Sequence, residues 1–266
     1  MSNPKISIIT VVFNGIEYID ATILSVINQK YTNFEYIIID GKSNDGTLDV
    51  IKKYESRITY WISDNDNGIY DAMNKGIEVA SGDWVIFMNC GDNFYNDNIL
   101  NDVFSKKIDF DIKLLYGGCK VRSDWGNFTI KARANGEIWK SFTHQSIFSR
   151  IELNRKFKFN LNFKAASDYD FVYTVFSKGY QTFPLNKLIS DVQYISAGHS
   201  SVNELISLKE VLKSILLNRN NLNSSINHFI YHFFALIRKY MSIMTRLISP
   251  KILKAIRKIR DVKSYD

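Results

Sequence analysis

Acidic residues follow several apolar runs of this sequence, at spacings that suit ligand binding. The apolar run at 36–39 ends in Asp40, and the stretch Asp-Gly-Lys-Ser-Asn-Asp-Gly-Thr at 40–47 adds Asp45 and two glycines. Further acids follow later apolar runs, at Asp64, Asp66, Asp71 and Asp92. A site that binds phosphate through protein groups alone would be basic or glycine-rich. The acids instead favour a ligand with hydroxyl or base groups whose phosphates are bridged by a divalent cation.

The elements that would position these acids alternate between strands and helices. Runs rich in β-branched residues predict strands over 5–13, 35–40, 58–63 and 84–89. Apolar residues at helical spacing predict helices over 18–29, 47–54, 69–80 and 98–105. This alternation with short links indicates an α/β fold with a doubly wound, mostly parallel sheet. Right-handed crossovers would bring the loops after four strands to one edge, where open α/β folds bind ligands.

The second half of the chain is less regular and ends in a basic tail. Strands are predicted over 113–121, 127–133 and 146–149, and a helix over 168–178. Residues 203–266 hold 12 lysines and arginines against 4 acidic residues, whereas the first 202 residues hold 22 against 23. Because the excess positive charge lies in one region, we expect an α/β domain at 1–201 and a helical tail at 202–266.

The tail combines apolar faces with positive charge. A helix is predicted over 202–217, and charged residues within 226–248 argue against a membrane-spanning helix. After Pro250, apolar and basic residues fall on opposite arcs of a helical wheel, which is typical of a helix on an anionic membrane surface. A solvated face that closes the domain, an oligomer contact and a nucleic-acid contact are the alternatives. We favour the membrane surface, expect no nucleic acid, and leave an oligomer open.

Composition indicates a folded protein of a reducing compartment. The chain has 266 residues, of which 45% are hydrophobic, enough for a sizeable core. Two cysteines, Cys90 and Cys119, make no disulfide framework. The apolar run at 6–13 is predicted as a strand rather than as part of a signal peptide. We therefore expect a cytoplasmic protein, peripheral at the cytoplasmic face of the inner membrane.

Four blocks of the sequence resemble the family 2 inverting glycosyltransferases of the GT-A fold. They are Ile-Ile-Thr-Val-Val-Phe-Asn at 8–14, Asp-Gly-Lys-Ser-Asn-Asp-Gly-Thr at 40–47, Gly-Ile-Tyr-Asp-Ala-Met-Asn-Lys-Gly at 68–76 and Phe-Met-Asn-Cys-Gly-Asp at 87–92. Four blocks in this order are more specific than any one alone. The third block resembles the branch that builds bacterial surface polysaccharides. The resemblance implies a nucleotide-sugar-binding half at 1–111 and an acceptor half at 112–201.

The same resemblance implies a donor site. The loop at 10–14 and Asp40 would hold the uracil and ribose of the nucleotide sugar. The residues expected to contact the donor are Thr10, Val12, Asn14, Asp40, Asp66, Asp71, Asn74 and Asn89. Asp45 is an equally good candidate for a helix cap, since Asp is favoured there.

The metal motif of the family, Asp-X-Asp, falls at 89–92, where this sequence departs from the pattern. Asn89 and Gly91 replace the two acids, and Asp92 is the carboxylate that remains. The resemblance implies Mg²⁺ or Mn²⁺, bound by Asp92 and the donor diphosphate. His199 is a second candidate for a metal ligand.

An inverting transfer needs a general base that takes the proton of the acceptor hydroxyl. Asp168 matches the acid of the family's Glu-Asp pair, with Ser167 in place of the Glu. Asp168 could also cap the helix that begins there, and the two roles are compatible. His144 lies in the expected acceptor half, where a structural role is the more frequent one for a lone histidine.

The preferred interpretation is a metal-dependent, inverting glycosyltransferase. It would move a sugar from a nucleotide-diphosphate donor, UDP-linked, to a lipid-linked glycan in extracellular, capsular or O-antigen polysaccharide synthesis. A non-catalytic glycan-binding or scaffold protein of the same fold is one alternative, which the altered metal motif favours. A nucleotidyltransferase is another, although residues 11–15 lack the glycine- and Arg/Lys-rich phosphate loop expected of one.

Overall fold

The computed structural model describes residues 3–123, 126–132, 143–194, 204–218, 229–230 and 232–238. The strands are β1 (Ile6–Val12), β2 (Phe34–Asp40), β3 (Tyr60–Ser63), β4 (Trp84–Phe87), β5 (Asn93–Phe94), β6 (Ile112–Ser123), β7 (Phe128–Ile130), β8 (Ile147–Arg150) and β9 (Gln181–Tyr194). The helices are α1 (Ile19–Ile27), α2 (Thr47–Lys53), α3 (Ile69–Val79), α4 (Ile99–Phe104), α5 (Ile151–Lys156), α6 (Ser167–Ser177) and α7 (Glu204–Leu217). Short 3₁₀ turns occur at Glu55–Arg57 and His144–Ser146.

The described strands form one nine-stranded sheet in the order β3-β2-β1-β4-β8-β6-β9-β5, with β7 paired to β6. Strands β1 to β4 are parallel to one another, and β8 is antiparallel to both of its neighbours, β4 and β6. The register pairs Val12 with Asp40 and Asp40 with Ser63, so three strands end at one level. The loops that were predicted to meet at one edge of the sheet begin at this level.

Side chains of β1 alternate between two hydrophobic cores, one on each face of the sheet. Ile6 and Ile8 pack with α1 and α4, whereas Ile9 and Val11 pack with α3 and α6. All seven residues of β1 are buried, which explains why its sequence is largely apolar rather than alternating, with Ser7 and Thr10 as its polar members. Helices on both faces confirm the α/β, doubly wound class.

The middle of the chain contains elements that its sequence did not predict. Strand β9 contains Pro184 and shows no clean alternation of apolar and polar residues. It forms because it lies parallel to β6 over most of its length, with register shifts between Ile112 and Leu114 and around Gly118. Helix α5 and the two-residue β5 were also missed. Elements this short, or stabilised by pairing with distant strands, leave little local pattern to detect.

The predicted helix at the start of the tail is present as α7, which packs on α6. Residues 232–238 are also helical. Within the described ranges, no helix is long and apolar enough to cross a membrane. The predicted basic helix after Pro250 lies outside the described residues. The proposed boundaries at 111 and 201 stay predictions.

Candidate functional site

A cleft of about 470 Å³ opens at the carboxyl edge of the parallel strands. The segments that follow β1, β3 and β4 form its walls. Four of the predicted donor residues line it: Val12, Asn14, Asp66 and Asn89. Phe13 also lines the cleft and is 66% exposed. In the sequence it is the last residue of an apolar run that predicts a strand. An exposed aromatic ring in a nucleotide-sized cleft can stack on a base.

Asn14 turns the chain at the end of β1. Its φ of 49° lies in the left-handed region, which asparagine tolerates better than most residues. Its side-chain oxygen accepts the N–H of Asn44 at 3.0 Å, and its own N–H donates to Ser43 Oγ at 2.7 Å. The loops after β1 and β2 are therefore tied together at the cleft.

Asp45 adds a second tie between the same loops. Its carboxylate accepts the N–H groups of Ile16 and Thr47, both at 3.0 Å. Gly46, with a φ of 99°, occupies the N-cap position of α2. Asp45 is the residue before this N-cap, and it binds the first N–H of the helix from there. Asp45 stabilises the loop and the helix start together, close to the capping role that its sequence favours.

Asp40 is buried at the end of β2 rather than exposed in the cleft. Its oxygens accept hydrogen bonds from the Ser43 N–H at 2.9 Å, the Ser43 hydroxyl, and Ser63 Oγ at 2.6 Å. Its side chain is 0% exposed. These bonds give Asp40 a clear structural role, the shaping of the 40–47 loop. Its contact with a nucleotide stays a prediction.

Three other predicted donor residues also bond within the protein, and the structure does not bring them to the cleft lining. Thr10 is buried in β1 and donates to the carbonyl of Met88 at 2.7 Å. Asp71, in the first turn of α3, accepts the N–H of Asn67 at 2.9 Å. Asn74 exchanges two hydrogen bonds of 2.9 Å with the main chain of Phe159. Thr10 and Asn74 thus point into the protein interior, and Asp71 points towards the chain before α3.

Asp66 lies against the loop that follows β2. Its Oδ1 accepts the N–H of Gly68 at 2.8 Å, which fixes the turn into α3. A side chain at position 41 would place its Cβ 2.5 Å from Asp66 Oδ2, so the glycine there allows the carboxylate to approach. The glycine at 41 thus lets the Asp66 carboxylate, which lines the cleft, pack against the loop after β2.

Asp168, His144 and Asn89 form a hydrogen-bonded chain that ends at the cleft. His144 Nδ1 lies 3.1 Å from Asp168 Oδ2, and His144 Nε2 lies 3.0 Å from Asn89 Nδ2. In the neutral tautomer, Nδ1–H donates to the carboxylate and Nε2 accepts from the amide. Asn89 lines the cleft, and the side chains of His144 and Asp168 are each 23% exposed. The acid is therefore accessible from solvent and connected to the cleft.

The electrostatics of this chain favour a charged Asp168. Burial alone would raise its pKa, but the hydrogen bond and charge of His144 outweigh burial and lower the pKa. The pKa of His144 is raised, because Asp168 outweighs the burial that disfavours the imidazolium. At neutral pH the acid is thus a carboxylate hydrogen-bonded to the His144 ring, and a positioned carboxylate can accept a proton.

Tyr70 supplies the second partner of Asp168. Its hydroxyl donates to Asp168 Oδ1 at 3.1 Å, and burial raises its pKa far above the ordinary tyrosine value. Tyr70 and His144 are functional candidates that the sequence analysis did not select. Tyr70 stands inside the Gly-Ile-Tyr-Asp block, whereas His144 is separated from both of its partners along the chain. Only their shared contact with Asp168 reveals them.

Asp92 is buried beside the cleft-lining segment. Gln145 Nε2 donates to its Oδ2 at 2.7 Å, and burial raises its pKa to about 6. Within the described part of the chain, no group of three or more His, Cys, Asp or Glu residues could hold a metal by itself. Mg²⁺ sites often use one or two carboxylates, and substrate phosphates complete the coordination. Asp92 is a single buried carboxylate whose pKa is raised, so it fits that pattern. His199 lies outside the described residues.

The chain belongs to a known enzyme family. The model for "Glycosyl transferase family 2" matches residues 7–180. This stretch contains every element of the cleft and the Asp168 network. The protein is therefore a family 2 glycosyltransferase, as the four sequence blocks indicate.

Two related proteins support this assignment. A PGL/p-HBAD biosynthesis glycosyltransferase of Mycobacterium bovis is 30% identical over 185 residues, which are 66% of this chain and 72% of that protein. A Bacillus subtilis glycosyltransferase, TuaG, named for teichuronic acid biosynthesis, is 35% identical over 99 residues, which are 36% of this chain and 39% of that protein.

Solved structures of the same fold extend over nearly the whole chain. S. aureus TarS 1-349 in complex with UDP-GlcNAc has a TM-score of 0.71 and 19% identity, covering 87% of this chain and 73% of that one. The mannosyltransferase PcManGT from Pyrobaculum calidifontis, in complex with GDP-Man and Mn²⁺, has a TM-score of 0.68 and 12% identity, covering 100% and 82%. These likenesses confirm the predicted GT-A fold.

Proposed function

We propose that this glycosyltransferase moves a sugar from a UDP-linked donor to a lipid-linked glycan, with inversion at the anomeric carbon. One observation carries the proposal: Asp168 is a partly exposed carboxylate whose side-chain hydrogen-bond partners, Tyr70 and His144, hold it beside the cleft. A carboxylate held in place by an adjacent histidine can act as the general base that deprotonates the acceptor hydroxyl.

The transfer would proceed in one displacement. The acceptor hydroxyl attacks the anomeric carbon while Asp168 takes its proton. The bond between that carbon and the diphosphate oxygen breaks, and its electron pair leaves with the diphosphate. Because attack and departure occur on opposite faces, the configuration inverts. The lowered pKa of Asp168 favours the carboxylate form, which is the form that accepts the proton.

The donor would occupy the cleft between the loops after β1, β3 and β4. Phe13 offers a face for the base, and Asn14 and Asp66 offer hydrogen-bond partners to base or ribose. Asp92 is the residue that would hold Mg²⁺ or Mn²⁺ together with the donor diphosphate. Such a cation neutralises the charge of the leaving group. The complexes of TarS with UDP-GlcNAc and of PcManGT with Mn²⁺ support this interpretation.

We place the reaction in bacterial surface-polysaccharide synthesis, in the extracellular, capsular or O-antigen class. The resemblance of the block at 68–76 to that branch supports this, as does the relative named for teichuronic acid biosynthesis.

We also propose that the basic tail binds the anionic cytoplasmic face of the membrane, where lipid-linked acceptors lie. Deletion of 222–266 should then abolish sedimentation with anionic vesicles, and unchanged sedimentation would contradict it.

A screen of nucleotide sugars for hydrolysis tests the function directly. We expect one UDP-sugar to be hydrolysed, and Asp168→Asn to lower turnover by about 10²- to 10⁴-fold, the usual contribution of a general base. Titration with UDP should show unchanged affinity in this variant. Asp49→Asn, at an exposed position of α2, is the matched control and should keep full activity. Wild-type turnover in Asp168→Asn would remove Asp168 from the mechanism.

A non-catalytic glycan-binding role is the second candidate, and the 89–92 segment favours it. This segment carries one carboxylate where the family motif has two, and that carboxylate is buried. The two candidates differ in the screen. A scaffold would bind UDP or glycan and hydrolyse no nucleotide sugar, with or without Mn²⁺.

A further inference from the structure

Helix α7 packs along α6, the helix that carries Asp168. Val211 and Ile215 of α7 are buried against Ala166, Tyr169 and Tyr173. Helix α7 lies beyond residues 7–180, the part of the chain that the family model matches. Family membership therefore assigns α7 no role.

One carboxylate of α7 binds the main chain directly before α6. Glu210 Oε1 accepts the N–H of Lys164 at 2.7 Å, and Oε2 accepts the N–H groups of Ala165 and Ala166 at 2.9 and 3.0 Å. Three successive amides thus donate to one charged group, and charge-assisted hydrogen bonds are stronger than neutral ones. Ala166 is the N-cap of α6 and cannot cap it with its own side chain. Glu210 places a negative charge where the helix dipole favours one.

A second polar contact lies one turn further along α7. Ser214 Oγ donates to Asp170 Oδ1 at 2.6 Å, and Asn218 Nδ2 lies 3.4 Å from the same oxygen. Helix α7 therefore holds α6 at 166 and at 170, on either side of Asp168. The Asp168 carboxylate itself bonds to His144 and Tyr70, so α7 acts on it through the backbone.

We propose that Glu210 is a positioning residue for the transfer step: it fixes the start of α6 so that Asp168 stays against His144 and beside the cleft. The inference rests on the proposed role of Asp168 as the base. It predicts that loss of Glu210 lowers turnover while donor binding is kept, because the loops that line the cleft make no use of this contact.

The test compares Glu210→Ala and Glu210→Gln in the full chain, with Glu152→Gln as the matched control. Glu152 lies on α5 and pairs with Lys113. We expect kcat of Glu210→Ala to fall at least about tenfold, since small misplacements of catalytic groups are costly. Glu210→Gln keeps one acceptor oxygen and should fall less. The KM for the nucleotide sugar and the affinity for UDP should not change, and the control should match the wild type.

A pH profile separates positioning from simple destabilisation. If Asp168 loses its contact with His144, its pKa rises and the acid limb of the kcat profile moves to higher pH in Glu210→Ala. Amides 164–166 should also exchange faster with solvent. If the wild type is active and both Glu210 variants keep its kcat, the inference about Glu210 is wrong, whereas the proposed function is unaffected. A wild type that turns over no nucleotide sugar would overturn the proposed function and the inference with it. If Glu210→Ala fails to bind UDP, the kcat of Glu210→Gln is the test instead. A kcat below that of the wild type supports the inference, and a wild-type kcat overturns it.

Discussion

His144 and Asp168 form the central pair of the site, with 3.1 Å between Nδ1 of the imidazole and Oδ2 of the carboxylate. The same imidazole contacts Asn89 through Nε2. One ring thus connects the proposed base to the wall of the donor cleft. A change at His144 should therefore shift the pKa of Asp168, which the imidazole contacts directly.

Replacement of His144 should shift the pH dependence of transfer. In His144→Ala, Asp168 loses the partner that lowers its pKa, so the pKa rises. Because the base acts as a carboxylate, the acid limb of the kcat profile should move to higher pH. We expect kcat at pH 7 to fall by about tenfold or more. His144→Gln can still donate to the carboxylate and should show a smaller shift. An unchanged profile in His144→Ala would separate the histidine from the base.

Tyr70→Phe removes the second side-chain hydrogen bond of Asp168, together with the contacts of the Tyr70 hydroxyl with the backbone of Ser167 and Asp168. Since one hydrogen bond to a charged group contributes about 1.5–3 kcal/mol, we expect kcat to fall by about tenfold to a hundredfold. The ring contact with Phe159 is retained, so the protein should stay folded, with the thermal midpoint lowered by at most about 12 °C. Tyr60→Phe on β3, which is exposed, is the control. Equal kcat for the two variants would show that Tyr70 has no part in holding the base.

Asn74→Ala should lower stability rather than donor affinity. It breaks both hydrogen bonds to the main chain of Phe159 and leaves buried polar groups unpaired, at a cost of about 2–4 kcal/mol. Denaturant unfolding measures the loss, with Asn28→Ala at an exposed position after α1 as the control. UDP titration of the folded variant tests the donor contact that the family resemblance implies. A specific loss of UDP affinity in a stable variant would favour that contact instead.

Mn²⁺ should raise the affinity for UDP, and Asp92 should be needed for that increase. A cation beside the buried carboxylate would offset the burial that raises its pKa to about 6. In Asp92→Asn we expect the metal-free affinity to persist and the increase with Mn²⁺ to disappear. Calorimetric titrations with Mn²⁺ and with a chelator measure both. If Asp92→Asn responds to Mn²⁺ like the wild type, the cation is held elsewhere or by the diphosphate alone.

Local sequence patterns predicted the first half of the fold well. Strands β1, β2 and β4 and helices α1 and α3 lie within a few residues of the predicted ranges, because buried strands and amphipathic helices have distinct periodicities. Strand β9 was not predicted, since it owes its conformation to pairing with β6.

The site was predicted less completely than the fold. Asn14, Asp66 and Asn89 do reach the cleft, because strand ends are visible in the sequence. Position at a strand end does not reveal side-chain direction, however, and Asp40 turns out to be buried. The pairing of His144 with Asp168 and Asn89 depends on how β8 and α6 pack. No spacing along the chain encodes that contact.

The two bonds between Asn74 and Phe159 have a consequence for engineering the loop at 157–163. Both end on main-chain atoms at 159, so any residue there except proline could supply them, whereas position 74 needs an amide that donates and accepts at once. The Phe159 ring meets a separate demand, which is to pack against Phe87 and Phe171. Libraries that vary the 157–163 loop can therefore redesign its outer residues while the anchorage to α3 persists.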